Sequence, residues 1–408
     1  MNQLHRFARE IFDYALAAVD PRKAVNEAVV VDGPVVEVCD ARFDVSSRPL
    51  YAIAIGKAAA SMAIGLEDVV GERLSGGVIS GPLLSVSLPQ RWQMFEGGHP
   101  LPNEASLAAA QSAFALLDRA NDERGSVIFL VSGGGSAMIE RATSEEVTLA
   151  DLRRANEVLI GSGARISEIN AVRRAFSAVK GGGLARRVPN ARIVTLIVSD
   201  TNRGDEASVA SGPTLFAGGP DPFEVIARYR LELPESILRS VQSVSPISSP
   251  HHVLLDNSRA LEAAHQKAMH LGLTSVIAHD ICEQPVQEGV DLLLSHRNTD
   301  CLISGGEFSC PVRGDGRGGR NLETVLRCAM NLEHGVMLSA GTDGIDGNTP
   351  AAGAIADETT IDRARQIGLD PADFLERSDS YTFFEKLNDL IITGPTGTNV
   401  RDLRILIR

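Results

Sequence analysis

The stretch whose residues most clearly could take part in chemistry is Val127–Met138, where an apolar run ends in Ser132-Gly133-Gly134-Gly135-Ser136. This pattern is typical of a buried strand, a glycine turn and the start of a helix. Adjacent glycines allow positive φ and turn backbone N–H groups inward, and a helix N-terminus favours a bound anion. The stretch therefore predicts a phosphate cradle, with a tight βα turn as the alternative.

Lys57 follows a second junction of strand, glycine and helix within Tyr51–Met62. The helix dipole opposes a cation in the first helical turn. The position becomes favourable if the ammonium group reaches an anion bound at the strand ends. We predict that Lys57 contacts nucleotide phosphate; the alternative is a solvated surface lysine.

Two acids follow predicted strands, Asp200 after Ile193–Val198 and Asp343 after Val336–Ser339. An acid at the carboxyl end of a buried strand can hold a metal ion or accept a proton. A helix cap or a turn residue is the alternative for Asp200. His99 lies in a rigid polar loop, where it contacts substrate, is structural or is merely exposed.

An arginine-rich segment, Arg313–Arg320, contains Gly314-x-Gly316-x-x-Gly319, which matches the dinucleotide fingerprint. No acidic residue follows about 20 positions later at a strand end to bind a ribose. We therefore interpret the segment as an anion clamp, and a nicotinamide-dependent reductase remains the alternative. Cations, carboxylates and backbone cradles together favour phosphoryl transfer.

The elements that must position these residues alternate between strand and helix, which predicts an α/β protein. The Ser/Pro-rich stretch 243–250 is the best linker, so we predict domains at residues 1–242 and 243–408. At least six glycine turns follow predicted strands, and such turns would face a common cleft between the two domains. An amphipathic helix is expected over Met1–Val19.

The composition limits the classes of function. The chain has 408 residues, 44% of them hydrophobic, and a formal net charge of −13, which argues against nucleic-acid and anionic-membrane partners. Five cysteines without a CxxC pair indicate reduced, mostly buried thiols in a cytoplasmic protein. No His/Cys cluster suggests zinc, and Ser136 lacks the G-x-S-x-G elbow of serine hydrolases.

An ordered set of motifs resembles the class II glycerate kinases and covers nearly the whole chain, from about Tyr51 to Arg408. The motifs are Gly-Lys57-Ala, Gly-Gly-His99-Pro, Ser-Gly-Gly-Gly-Ser-Ala137, Ile-Asn170-x-Val-Arg173, Val-Ser-Asp200, Ala-Ser-Gly-Pro213-Thr, Ser-Gly-Gly-Glu307, Gly-Arg-Gly-Gly-Arg320-Asn, Gly-Thr-Asp343-Gly-Ile-Asp-Gly, Asp379-Ser-Tyr381 and Thr-Gly-Pro-Thr-Gly-Thr-Asn399.

The resemblance implies an N-terminal Rossmann-like domain, a smaller C-terminal α/β domain and a site in the cleft between them. It also implies Mg²⁺- and ATP-dependent phosphorylation of D-glycerate at the 2-hydroxyl, with Lys57 and Arg320 matching the family's proposed catalytic cations. Members of the family are often labelled hydroxypyruvate reductases. The implied partners are ATP and a small hydroxy acid; the oligomeric state, a homodimer included, is open.

The expected site residues form four sets. They are the catalytic Lys57, Arg320 and Asp200; the nucleotide-binding Lys57, Ser132, Gly133, Gly134, Gly135 and Ser136; the substrate-binding His99, Arg173, Glu307, Arg320, Asn321, Asp343 and Asn399; and the metal-binding Asp200 and Asp343.

The chain departs from the family pattern at several polar positions. The departures are Arg203-Gly204, Ala175, Gly183, Leu322 and Pro350. We therefore expect the acceptor to be glycerate or a related short hydroxy acid. A catalytically silent relative that kept the nucleotide loops is the further alternative.

Overall fold

The computed structural model describes residues 3–82 and 88–408, so Met1 and Asn2 of the predicted first helix lie outside the described residues. The chain divides into two compact units. The N-terminal unit is Pro21–Leu255, and the C-terminal unit joins the segment up to Asp20 with Asp256–Arg408. The first helix, α1 (Gln3–Ala18), therefore belongs to the C-terminal unit. The predicted domains 1–242 and 243–408 stay a prediction.

The N-terminal unit alternates strands with helices along most of its length. Its strands are β1 (Val29–Asp32), β2 (Val35–Val38), β3 (Ala41–Asp44), β4 (Leu50–Ile55), β5 (Leu74–Ser80), β6 (Trp92–Phe95), β7 (Ser126–Ser132), β8 (Arg192–Val198) and β9 (His251–Leu255). Its helices are α2 (Pro21–Ala28), α3 (Ala59–Val70), α4 (Glu104–Asp122), α5 (Gly135–Met138), α6 (Leu149–Gly161), α7 (Ile166–Phe176), α8 (Gly183–Arg186), α9 (Pro222–Tyr229) and α10 (Glu235–Ser240), with 3-10 turns at Gly71–Arg73 and Glu206–Ser211.

The main sheet of this unit is parallel throughout, in the order β6-β5-β4-β7-β8-β9. The strand order reverses between β4 and β7, as in doubly wound nucleotide-binding folds. Both of these strands are buried along their whole length, which explains their continuous apolar runs. We call the side where β4, β7 and β8 end the carboxyl edge. The expected α/β architecture is confirmed here.

The apolar residues of Val29–Cys39 predict a single strand, but the chain from Val29 to Asp44 forms a separate antiparallel sheet, β1-β2-β3. The single-strand prediction is wrong because Gly33-Pro34 makes a two-residue hairpin turn, with Gly33 at φ +57°. Glycine is favoured at the first position of such a turn because a positive φ is required there.

The C-terminal unit contains the remaining elements. Its strands are β10 (Ser275–Ile277), β11 (Cys301–Ser304), β12 (Val336–Gly341), β13 (Gly353–Asp357), β14 (Leu390–Ile391) and β15 (Asp402–Ile407). Besides α1, its helices are α11 (Asn257–His270), α12 (Val286–Ser295), α13 (Arg320–Ala329), α14 (Thr360–Gln366), α15 (Pro371–Glu376) and α16 (Ser380–Leu387).

The sheet of the C-terminal unit is mixed, in the order β10-β11-β15-β12-β13-β14. Only β10 and β11 pair in parallel among its described strands, and β15 runs antiparallel between β11 and β12. The first residue of β15, Asp402, therefore lies beside Gly341 at the end of β12. We call this side, where β11 and β12 end and β15 begins, the Asp402 edge.

The sequence of Phe308–Val312, after the turn Ser304–Glu307, predicts a further strand, and this prediction is wrong. Within that range the structure has an isolated bridge from Ser309 to Pro285 and otherwise irregular backbone. The segment lies over α13, where Phe308 is buried and the thiol of Cys310 donates to Glu323. Phe308 packs in the core from an irregular segment, whereas Pro311 and Val312 are exposed, so this apolar run does not indicate a strand.

The described cysteines are all free thiols, and Cys301 and Cys328 are buried while Cys39 is exposed. Burial raises the pKa of the Cys301, Cys310 and Cys328 thiols to about 12. These three are therefore poor nucleophiles. Among the helices of residues 3–82 and 88–408, none is long and apolar enough to cross a membrane.

Candidate functional site

The turns after β4 and β7 lie side by side where the strand order of the parallel sheet reverses. The backbone N–H of Lys57 donates to Gly133 O at 2.9 Å, and the N–H of Ala58 donates to Ser132 Oγ at 3.0 Å. Gly56 has φ +107°, and a Cβ placed on it would lie 2.3 Å from Ser132 O. Only glycine allows this close approach of the two turns.

Gly134 brings together three of the predicted residues. It has φ +79°, and a Cβ placed on it would lie 3.0 Å from Lys57 Cγ and 3.4 Å from His99 Cδ2. Lys57 is half-buried and His99 is exposed. The lysine, the histidine and the glycine turn thus share one patch of the carboxyl edge.

The two serines of the turn have structural contacts. The hydroxyl of Ser132 is buried, accepts from Ala58 N and donates to Ile55 O at 3.1 Å. Ser136 Oγ lies 2.9 Å from Ser211 Oγ. The helix that follows, α5, has a single turn, so its dipole is weaker than that of the long helix expected at a phosphate site.

Asp200 lies two residues beyond β8, the neighbour of β7, and is half-buried. The sheet therefore places it on the carboxyl edge, as expected from its position after a strand. Arg173 lies at the end of α7 and donates from Nε to Asn156 Oδ1 at 2.8 Å. Burial lowers the pKa of Arg173, and the nearby charge of Glu140 raises it.

Below this edge lies a buried ion pair that sequence reasoning did not identify. The ammonium group of Lys180 contacts Glu140, and both side chains are about 2% exposed. Ser177 Oγ also donates to Glu140 at 2.6 Å. The pair joins the chain after α5 to the glycine run 181–183.

Arg320 is the centre of the Asp402 edge. Its Nε donates to Asp402 Oδ2 at 2.6 Å, and its Nη2 donates to Asp402 Oδ1 at 3.0 Å and to Glu307 Oε1 at 2.8 Å. Burial opposes the charge of this guanidinium, but the two carboxylates raise its pKa above the ordinary value. Arg320 is therefore a permanent, firmly held cation.

Asn321 connects this ion pair to the core. Its Nδ2 donates to Asp402 Oδ1 at 3.0 Å, and its Oδ1 accepts from Ser339 Oγ at 2.6 Å. Asp346 accepts from the backbone N–H groups of Asn321 and Leu322 at 3.1 and 2.8 Å, which caps α13. Burial raises the pKa of Asp346 to about 7.

Asp343 and Asn399 lie on adjoining loops of the same unit. Thr396 N–H donates to Asp343 O at 3.3 Å, and Thr342 Oγ1 accepts from Val400 N–H at 2.9 Å. A Cβ placed on Gly341 would lie 3.1 Å from Asp343 Oδ1 and 3.6 Å from Asp402 Oδ1. The structure therefore brings Asp343 close to the carboxylate that holds Arg320.

Two of the three arginines of the predicted anion clamp contact side chains of their own unit. The Arg317 guanidinium lies 4.2 Å from the Tyr381 ring centroid, and Arg313 lies 3.8 Å from Glu323. A cavity of about 360 Å³ lies next to Arg320 within this unit. Its walls are formed by Phe308, Cys310, Pro311, Val312, Gly316, Gly318, Gly319, Arg320, Glu323, Asp346, Gly347, Asn348, Ser378 and Ser380.

Several departures from the family pattern have local explanations. A Cβ on Gly183 would lie 2.1 Å from Ala178 O, so the backbone leaves no room for a basic side chain. Ala175 and Leu322 are fully buried in the core. Arg203 and Pro350 are exposed, and nothing in the structure explains these two.

Sequence reasoning missed Asp402 and Arg404, which lie in β15. Both are about 0–1% exposed, and Arg404 Nε donates to Ser304 Oγ at 3.0 Å. Burial lowers the pKa of Arg404 to about 10. The available signal was the alternation of charged and apolar residues in Asp-Leu-Arg-Ile-Leu-Ile after the last glycine turn.

In the chain outside residues 1–2 and 83–87, no three His, Cys, Asp or Glu side chains come together to hold a metal ion. Asp200 and Asp343 are thus not parts of larger ligand clusters. A metal at either residue would need other oxygen ligands, such as water or phosphate.

Comparison with known proteins gives family matches over most of the chain. Residues 7–242 match the family model described as a domain of unknown function (DUF4147), and residues 300–402 match the MOFRL family. The D-glycerate 2-kinase of Thermotoga maritima is 34% identical, covering 98% of this chain and 98% of that protein. A protein of Agrobacterium vitis with the provisional name hydroxypyruvate reductase is 35% identical, covering 98% and 93%.

A solved structure agrees with these matches. The crystal structure of Thermotoga maritima glycerate kinase superposes with a TM-score of 0.81 at 32% identity, covering 99% of each chain. Together with the ordered motifs, these similarities extend across both units. The chain belongs to the glycerate 2-kinase family, with its DUF4147 and MOFRL domains.

Proposed function

We propose that this protein is an ATP- and Mg²⁺-dependent kinase that phosphorylates the 2-hydroxyl of D-glycerate or of a closely related small hydroxycarboxylate. The observation that carries the proposal is that each unit has a cation at a strand edge. Lys57 lies against the glycine turn 133–135 at the carboxyl edge, and Arg320 is clamped at the Asp402 edge. Relatives named for glycerate phosphorylation support the acceptor class.

In this proposal the carboxyl edge binds the nucleotide phosphates. Backbone N–H groups of Gly133–Ser136 face the phosphate oxygens, and the Lys57 ammonium neutralises the charge that develops on the transferring group. The Ser132 hydroxyl contributes by holding the turns together, since it already bridges Ile55 and Ala58. His99 and Arg173 contact the acceptor from the same unit.

The acceptor's anionic group would bind to Arg320. Glu307, Asn321, Asp343 and Asn399 complete the acceptor-binding set in the C-terminal unit. Because Asp402 keeps the guanidinium charged and fixed, Arg320 stabilises negative charge without reorganising during the reaction. This preorganisation is the chemical contribution of the C-terminal unit.

Asp200 and Asp343 fit the requirements for Mg²⁺. Both are half-buried carboxylates next to strand ends, and Mg²⁺ in kinases takes one or two carboxylates together with phosphate oxygens and water. Asp200 and Asp343 would hold the ion, which would neutralise negative charge on the phosphates and so favour attack by the acceptor hydroxyl. We place the enzyme in the cytoplasm, in keeping with its free thiols.

The structure gives little support to a nicotinamide-dependent reductase. The Gly314-x-Gly316-x-x-Gly319 fingerprint requires a preceding strand within a βαβ unit. The segment before it is not a strand, and Cβ atoms on Gly314 and Gly316 would lie 2.6 and 2.5 Å from atoms of Arg377 and Asp379. These glycines serve packing of the loop against its own unit.

A coupled assay tests the proposal. ADP release is measured with D-glycerate, erythronate, tartronate and hydroxypyruvate as acceptors, alongside NADPH oxidation. Acceptor-dependent ADP release is expected, with D-glycerate or a close analogue as the best acceptor. NADPH oxidation with hydroxypyruvate and no ADP release would refute the kinase.

The lysine is tested within the same assay. Lys57→Ala should reduce turnover by roughly 10²-fold or more if the ammonium stabilises developing charge. The matched control is Lys23→Ala, which removes an exposed lysine that pairs with Glu27 on α2. Unchanged turnover in Lys57→Ala would remove this residue from the catalytic set.

A further inference from the structure

The two carboxylates on Arg320 occupy different edges of its guanidinium group. Asp402 takes the edge formed by Nε and Nη2, at 2.6 and 3.0 Å. Glu307 accepts from Nη2 at 2.8 Å. Since one proton of Nη2 points toward Asp402, the Glu307 contact uses the other proton, on the edge formed by Nη1 and Nη2.

Asp402 is fixed in place. Its side chain is 0% exposed, and its Oδ1 also accepts from Asn321 Nδ2. Its backbone pairs with Gly341 of β12, and its N–H donates to Gly306 O at 3.3 Å. Asn257 Nδ2 donates to its carbonyl oxygen at 3.0 Å. Removing this carboxylate from Arg320 would leave a buried charge without its partner, which is strongly unfavourable.

Glu307 differs from Asp402 in its exposure and in its place in the fold. Its side chain is 37% exposed, and it lies in the turn after β11, next to Gly306 at φ +77°. An exposed ion pair of this kind contributes little net stability. Glu307 can therefore leave Arg320 at small cost, whereas Asp402 cannot.

We propose that Glu307 is a displaceable counter-ion that occupies the position on Arg320 which the oxyanion of the bound ligand takes. A carboxylate or phosphate that binds Arg320 through two hydrogen bonds must use the Nη1–Nη2 edge, because the other edge is permanently filled. Glu307 holds half of that edge, so ligand binding exchanges one oxyanion for another. The inference rests on the proposed anion contact of Arg320.

The exchange has a consequence for affinity and for chemistry. Glu307 competes with the ligand, so the apparent affinity of the site is lower than that of Arg320 alone. Once displaced, its carboxylate lies beside the bound acceptor and can accept a hydrogen bond from a hydroxyl group. A displaceable Glu307 can therefore belong to a site that binds anions.

Isothermal titration calorimetry on the full chain tests the exchange, with D-glycerate and, separately, inorganic phosphate as probes. Glu307→Gln should tighten binding about fivefold. This ratio corresponds to the upper end of the free energies that exposed ion pairs contribute. The matched control is Glu283→Gln, which removes a 49%-exposed carboxylate that pairs with Arg401. This control should change affinity less than twofold.

A double-mutant cycle shows whether the effect acts through Arg320. In an Arg320→Ala background, Glu307→Gln should no longer tighten binding. Any one of four results would overturn the proposal. Glu307→Gln binds the probes no more tightly than the parent chain, Glu283→Gln gains as much affinity, the gain persists without Arg320, or neither probe binds. If only phosphate binds, with the expected pattern, the exchange stands and glycerate is not the acceptor.

Discussion

In the N-terminal unit the turns around Lys57 are held together by backbone groups, whereas in the C-terminal unit Arg320 is held by buried charges. Gly56, Lys57 and Ala58 contact Ser132 and Gly133 through close backbone approach and N–H donors. Arg320 instead depends on Asp402 and, beyond it, on Asn321 and Arg404. Parallel and mixed sheets have thus placed one cation each at a strand edge by different means.

The two edges should therefore tolerate different kinds of substitution. The stability of an edge made of backbone contacts should fall when side-chain volume is added, but not when a charge is changed. An edge made of buried charges has the opposite sensitivity, because removing one partner leaves the other uncompensated. Substitutions of these two kinds therefore test the comparison directly.

The largest effect is expected for Asp402→Asn. This change leaves Arg320 and the fully buried Arg404 with one fewer anion, and breaking such a buried pair costs about 3–5 kcal/mol. Urea unfolding of the full chain measures the loss of unfolding free energy. The control is Asp362→Asn, an exposed partner of Arg365, which should change it little. Equal stability of Asp402→Asn and the parent chain would show that charge does not hold this edge.

The counterpart in the N-terminal unit is Gly56→Ala. A methyl group at φ +107° and 2.3 Å from Ser132 O must push the two turns apart, at a cost of about 3 kcal/mol. Gly161→Ala is the matched control, since no atom lies within 4 Å of its added Cβ and its φ is ordinary. That control should be neutral or slightly stabilising. A well-folded, fully active Gly56→Ala would contradict the backbone-held description.

The same contrast explains what could be predicted from the sequence. The turns at Lys57, at Ser132–Ser136 and at Asp200 follow continuous apolar runs, and parallel strands bring such turns to one edge. The local sequence pattern and the rule that parallel strands end at one edge are enough to predict these turns. The helix start predicted after the glycine turn is present as α5, which ends at Met138 before the chain turns to bury Glu140.

Asp402 could not be predicted in the same way. It begins a strand, so the rule about carboxyl ends does not apply, and it reaches the site only because β15 runs antiparallel between β11 and β12. A buried Asp and Arg in one strand also conflict with the usual apolar pattern. Their burial depends on partners distant in the sequence, at Ser304 and Arg320.

The pH dependence of stability sharpens the description of the charged edge. Burial raises the pKa of Asp346 to about 7 from an ordinary value near 3.8, although N–H donors of Leu322 and Asn321 lower it. Between these values the folded chain binds more protons than the unfolded chain. The unfolding free energy should therefore fall as pH rises from about 4 to 7, by at most about 1.4 kcal/mol per pH unit from this group.

Unfolding curves of the parent chain and of Asp346→Asn at pH 5, 6, 7 and 8 isolate this group. The stability of the parent relative to the variant should decrease up to about pH 7 and level off above it. A difference that does not change with pH would show that Asp346 keeps its charge throughout, held by its three N–H contacts.

The smallest effect concerns the loop that carries His99. Asn103 caps α4, since its Oδ1 accepts from Ser106 N–H at 2.9 Å, and its Nδ2 donates to Glu96 O at 3.0 Å across the loop. Asn103→Ala removes both contacts and should cost about 1 kcal/mol of unfolding free energy. Asn103→Asp keeps the cap but loses the Nδ2 donor, so it separates the two roles.

If these contacts of Asn103 with the loop backbone position His99 for the acceptor, both variants should raise KM for the acceptor with little change in kcat. If only Asn103→Ala raises KM, the helix cap alone positions the loop; if neither does, His99 does not bind the acceptor, and the backbone-held edge serves the nucleotide only.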